Sequence, residues 1–122
     1  MPAQWAATQN NLGIALRAQG ERPGGAAGAE LLARAVAAYE AALTVRTRDT
    51  MQAQWAMTQN NLGLVFWVRW QQATERAEQR AHAQAAIGHY RAALEVFGPD
   101  LHNGLQIAVA IRRLEAWLAA NP

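Results

Sequence analysis

QWAATQNNLG (residues 4–13) returns as QWAMTQNNLG (residues 54–63), with only Ala7 changed, to Met57. A second word follows at almost the same interval, YEAALTV (residues 39–45) becoming YRAALEV (residues 90–96). A fixed internal period of 50–51 residues is the signature of stacked supersecondary units. At about 100° per residue, Trp5, Thr8, Leu12 and Leu16 fall on one helix face, with Gly13 beside them. Asn10, Ile14 and Ala7 fall opposite, and Asn11 lies at their margin. In the second word Leu31, Ala35, Ala38, Tyr39 and Ala42 form another stripe. Neither helix can bury its stripe alone, so each pair is expected to close as a hairpin and stack on the next. Small residues at Gly13, Ala35 and Ala42 allow helix axes to approach. Trp5, Leu12, Leu16 and Tyr39 are then the expected core of the first pair, with Trp55, Leu62, Phe66 and Tyr90 as counterparts.

The composition agrees with an all-α fold. Alanine contributes 29 of 122 residues and proline only 4, which favours helix throughout. The length fits one domain over residues 1–122. There is no Cys, Ser or Lys, which removes thiol and serine nucleophiles, Schiff-base chemistry and thiolate metal sites. No nucleophile, base and orienting group converge in the sequence, so an enzyme is not expected. The pI of about 9.9 reflects a net charge of only +2, all of the basic residues being Arg. Arg112 and Arg113 are the one tight basic cluster, which is no stripe tracking phosphates, and nucleic acid is not an expected partner. No apolar run approaches the roughly 20 residues of a membrane span. Met1 and Pro2 lead directly into the first motif without a signal peptide, so the default expectation is a cytoplasmic protein.

Leu12-Gly13-x-x-Leu16 followed by Ala35-x-x-x-Tyr39-x-x-Ala42 resembles the tetratricopeptide repeat signature. The second copy reads Leu62-Gly63-x-x-Phe66, then Ala86-x-x-x-Tyr90-x-x-Ala93. The resemblance spans nearly all of residues 3–97. The usual 34-residue unit is stretched here to about 50, and the asparagine pair before Leu-Gly is similar to the longer repeats of kinesin light chains and related bacterial arrays. The resemblance implies an α-α superhelix with repeats over about residues 3–46 and 51–97. The letters QNNLG do not return a third time, but Ile107, Ala110, Ile111, Leu114, Trp117 and Leu118 keep the stripe. Residues 103–120 are therefore expected to form a capping helix, with Gly98, Pro99 and Asp100 stopping one helix and restarting the next.

The resemblance also implies a concave groove where a peptide or protein partner lies. Asn10, Asn11, Ile14 and Arg17 would line it in the first repeat. Met57, Asn60, Asn61, Leu64 and Trp67 would do so in the second, and Arg112 in the last helix. An amide both donates and accepts, so a row of asparagines could hold an extended backbone, and Arg112 could meet a carboxylate. The asparagines could equally bond neighbouring helices and stiffen the stack. Trp67 and Trp70 replace Arg17 and Gly20, and with Phe66 they are candidates for a contact with a second copy, a ligand or the chain itself.

The links within the repeats differ. Residues 20–28 hold four glycines and a proline and read as a flexible loop, whereas Gly and Pro are absent between Gly63 and Gly88. Either a tight polar turn near Thr74 joins two helices, or one helix runs over residues 53–97 and exchanges halves with a second chain, making a homodimer. His82 and His89 stand seven residues apart, about 10.5 Å along a helix, too far to share a metal ion. Glu75 and Glu78 read as surface patterning, and His102 as a loop residue. No metal or cofactor site is expected.

Overall fold

The computed structural model describes residues 2–22, 25–98 and 102–122, without the side chain of His102. Met1, Pro99 and Asp100, which figured in the reading of the start and of the last restart, lie outside the described residues. The described chain forms α1 (Pro2–Glu21), α2 (Gly25–Leu43), α3 (Gln52–Gln72), α4 (Arg76–Phe97) and α5 (His102–Ala120), with no strand. The chain is all-α. Helices α1 and α2 pack along each other, as do α3 and α4. α5 lies on α4, and α2 joins the pairs through α3.

Neither pair owns its core. Leu16, Leu32, Ala35 and Tyr39 of the first pair close over Leu62, Val65 and Val68 of α3. Ala83, Ala86, Ile87, Tyr90 and Ala93 of α4 close over Ile107, Ile111 and Leu114 of α5. Each apolar stripe is finished by the next helix in the chain, which is what the period demanded.

The glycine in each NNLG word sets the spacing within its pair. A Cβ on Gly13 would lie 2.5 Å from the Tyr39 ring, and one on Gly63 would lie 2.5 Å from the Tyr90 ring. The tyrosine face therefore rests on bare backbone. Burial pushes the Tyr39 hydroxyl pKa up to about 12, against the opposing influence of nearby Arg17. Arg17 lies close, yet no hydrogen bond of ordinary geometry closes between them: the hydroxyl and Arg17 Nε are both buried without a partner.

The second repeat turns at Ala73, Thr74 and Glu75, which replaces the continuous helix over residues 53–97 with an ordinary hairpin. No Gly or Pro is needed because Ala73 and Glu75 adopt extended backbone (φ −67°, ψ 143° and φ −97°, ψ 138°) that any residue tolerates. Side-chain amides satisfy the freed carbonyls. Gln79 Nε2 donates to the Ala73 carbonyl at 2.8 Å, and Gln72 Nε2 reaches across to the Gly20 carbonyl at 3.0 Å. α4 packs on α3 of its own chain.

Two other expectations are corrected. Of residues 20–28, Pro23 and Gly24 lie outside the described residues and the others are mostly helical: α1 runs through Gly20, and α2 begins at Gly25. Gly20 and Gly28 are buried where the helix ends approach, so these glycines serve packing rather than flexibility. Trp5 and Leu12 are not core, being 45% and 43% exposed, while Leu62, the counterpart of Leu12, is fully buried. None of the described helices α2–α5 covers their stripe. Trp55 is half-buried, with the Arg48 guanidinium 5.5 Å from its ring.

Two glycine substitutions should move stability in opposite directions. Gly63→Ala forces the Tyr90 ring away and should cost about 1–3 kcal/mol despite the better helix former. Gly88→Ala, in α4 with nothing within 4 Å of the added carbon, should gain about 0.5–1 kcal/mol. Urea titration of both variants reads the two signs.

Candidate functional site

The two junctions between successive first helices carry matching positions but differ in chemistry. At α1–α3, Asn10 is 5% exposed and Thr58 is fully buried. Arg46 Nη1 donates to Thr58 Oγ1 at 3.2 Å, and Thr58 Oγ1 donates to Asn10 Oδ1 at 3.0 Å. Asn61 Nδ2 donates to the same oxygen at 3.2 Å. Arg46 is 8% exposed, so a guanidinium, a hydroxyl and two amides form a nearly dry polar lock between the repeats. Asn10 Oδ1 and Asn61 Nδ2 are thus engaged in holding α1 against α3.

At α3–α5 the same positions have changed. Counting 52 residues on, Thr58 becomes Ala110 and Asn61 becomes Arg113, while Arg46 becomes Phe97 after 51. No lock can form, and α5 scarcely reaches α3. A cavity of about 180 Å³ opens there, lined by Asn60, Leu64, Trp67, Tyr90, Gln106, Ile107 and Ala110. Asn60, the counterpart of Asn10, has no hydrogen-bond partner for its half-buried amide among the described residues. The Arg113 guanidinium stands 5.9 Å from the Trp67 ring, and neither it nor Arg112 forms an ion pair among the described residues. The site therefore combines an apolar floor, one open amide and, against the Trp67 ring, the Arg113 cation.

The other sequence candidates are distributed around this opening or away from it. Leu64 and Trp67 line it, and Met57 is exposed one turn from Asn60. Ile14 is exposed on α1, and Arg17 is paired with Glu21. Asn11 points to solvent on the face away from α3, and Arg112 is exposed on α5. Phe66, Trp67 and Trp70, the candidates for an oligomer contact, are half-buried within the chain. Trp70 makes edge contacts with Trp67 at 5.1 Å and with Trp117 of α5 at 5.7 Å, so a second copy is not required to cover it. The sequence reading missed Tyr90, Gln106, Ala110 and Arg113 as site residues. The signal was present in the replacements of Thr58 by Ala110 and Asn61 by Arg113.

A larger cleft of about 550 Å³ lies between the start of α2 and the α3–α4 turn, lined among others by Arg69, Glu78 and His82. Glu78 opposes the lowering of the Arg69 pKa by burial without forming an ion pair with it, and Arg69 rests 5.4 Å from the Phe66 ring. We place the candidate site at the smaller opening because it lies at the junction where the polar lock is missing. His82 and His89 flank the same Phe66 ring, at 6.1 and 5.5 Å, and His89 Nδ1 bonds Gln59 Oε1 at 2.7 Å. Among the described residues no group of His, Cys, Asp or Glu could hold a metal ion, and no helix is long and apolar enough to cross a membrane.

Burial lowers the pKa of both histidines from the usual value of 6.5, with Arg69 adding to the fall at His82 and Glu78 opposing it. A folded pKa below the unfolded one means that the unfolded chain takes up protons first. Stability from this source is complete well above 6.5 and declines as the pH falls through that value. Melting temperature should fall between pH 7.5 and pH 5, and less steeply in His89→Gln; an unchanged slope would remove His89 from the cause. The asparagines should also separate. Asn10→Ala strands Thr58 and Asn61 and should cost about 1–3 kcal/mol, whereas Asn60→Ala should stay within about 0.5 kcal/mol, both read by chemical denaturation.

No protein-family model, curated protein or solved structure matches the chain.

Proposed function

We propose that the chain is a binding module of the tetratricopeptide type, an α-α superhelix that holds a peptide segment of a protein partner in the opening between α3 and α5. The observation that carries this reading is the contrast between the two junctions. One is sealed by Arg46, Thr58, Asn10 and Asn61; the other is left open over Tyr90 and Ile107, with the Asn60 amide unpartnered. A cavity of this size admits one aliphatic or aromatic side chain. Asn60 would donate to and accept from the backbone on either side of it. Arg112 and Arg113 favour carboxylates in the adjoining residues, and the exposed apolar surface of Met57, Leu105 and Val109 extends the contact along the helices.

Selection from a random-peptide display library tests this directly. The expected winners carry a large apolar residue flanked by Asp or Glu. Ala110→Phe, which fills the cavity, should weaken them by about tenfold or more, as should Asn60→Ala, each change amounting to roughly 1.4 kcal/mol or more. Both variants should keep the parent helical signal. Peptides that bind the parent and Ala110→Phe equally would place binding elsewhere.

A further inference from the structure

The face of α1 that points away from α3 is a copy of a face whose partner is visible. On α3, Thr58, Leu62 and Val65 are fully buried and Asn61 is half-buried against the first repeat, and Trp55 is half-buried beside Arg48. The same positions on α1 are Trp5, Thr8, Asn11, Leu12 and Ala15, and every one of them is exposed. Four of the five letters are identical. Thr8 turns its hydroxyl back to the Gln4 carbonyl at 3.0 Å, while its counterpart Thr58 reaches across a junction to Asn10. A shallow hollow of about 270 Å³ beside Leu12 and Leu16, lined also by Gln9, Arg34, Ala37 and Ala38, continues the open face onto α2.

We infer that this face is a docking surface for one kind of partner, a helix pair carrying the side chains that α1 and α2 present to α3. What covers the α3 copy states the chemistry. An amide at the place of Asn10 accepts from Asn11 and Thr8, an arginine at the place of Arg46 donates to Thr8, and a stripe like Leu32, Ala35 and Tyr39 covers Leu12. Identical letters on rigid helices recognise the same surface, so the geometry of the α1–α3 junction is the geometry of this contact. A second copy of the chain offers no free surface of that kind. Its α1–α2 pair is already covered by α3, and its α4 is covered by α5. The inference is independent of the peptide-binding reading, because it concerns a face of α1 and not the opening between α3 and α5.

The probe is a second copy of residues 1–50 placed directly before the complete chain, which reproduces the 50-residue spacing of the natural junction. In the parent, changing Leu12→Ala or Asn11→Ala should shift the melting temperature by less than about 1 °C, since both side chains are exposed. In the lengthened chain, the same change in the inner copy should lower it by roughly 4 °C or more, as Leu62→Ala should in the parent. An inner Leu12→Ala that stays silent while Leu62→Ala is costly overturns the inference. So does an added pair that melts in a separate transition. A parent that runs as a dimer by light scattering and becomes monomeric with Leu12→Arg also overturns it, by giving the face to a second copy.

Discussion

The contact between a tyrosine ring and a glycine backbone governs this fold. Tyr39 on Gly13 and Tyr90 on Gly63 bring the two helices of each pair closer than any side chain at the glycine would allow. That spacing decides which residues of the first helix face its own partner and which face the next pair. Leu62 and Val65 can then lie over Tyr39 and Leu32, and Ile107 and Leu114 over the α4 stripe. Because each core is completed by the following helix, the pairs cannot slide independently. A glycine fixed in the first helix is therefore felt at the junction beyond it.

On this shared frame the two junctions diverge through a few side chains. The lock at α1–α3 places a guanidinium at 8% exposure without a carboxylate partner, leaving Arg46 Nε unpaired. Burying a charge this way is a costly means of gaining stability, and an apolar junction would hold at least as well. Its contribution is directional: hydrogen bonds from three donors converge through Thr58 and Asn10, fixing register in a way that sliding apolar surfaces do not. α5 is held instead by Trp117 against Trp70 of α3 at one end, and by Arg80 of α4, which donates to the Leu118 and Asn121 carbonyls at 3.2 and 2.6 Å. Those contacts sit toward the end of α5 and leave the middle of the junction unsealed.

Periodicity made the helices, their pairing and the final helix legible in the sequence, since each rests on local pattern and repeated letters. The environments of repeated letters were not legible. Leu12 and Leu62 belong to the same word, yet one is exposed and the other buried, because burial depends on what lies before each helix. Asn10 looked like a ligand-facing amide until Thr58 and Asn61, about fifty residues away, were seen to consume it. The turn at residues 73–75 was ambiguous because its stabilising groups, Gln72 and Gln79, act through carbonyls that no sequence pattern specifies. Trp67 and Trp70 suggested an outside partner, and α5 supplied much of the cover through Trp117.

Where a repeat protein departs from its own repetition, the departure carries information that the repeat cannot. Had Thr and Asn stood at 110 and 113, with Arg at 97, the second junction could have closed as the first does. Ala110 removes the hydroxyl that would bridge, Phe97 removes the donor, and Arg113 turns a neutral amide into a cation held 5.9 Å from Trp67. These three changes leave the core stripe of Ile107, Ile111 and Leu114 intact, so folding does not require them. They act together on one opening, exposing an amide, an apolar floor and positive charge within reach of one another. Folding constraints account for the repeated residues; they do not account for the coordinated loss of one polar lock.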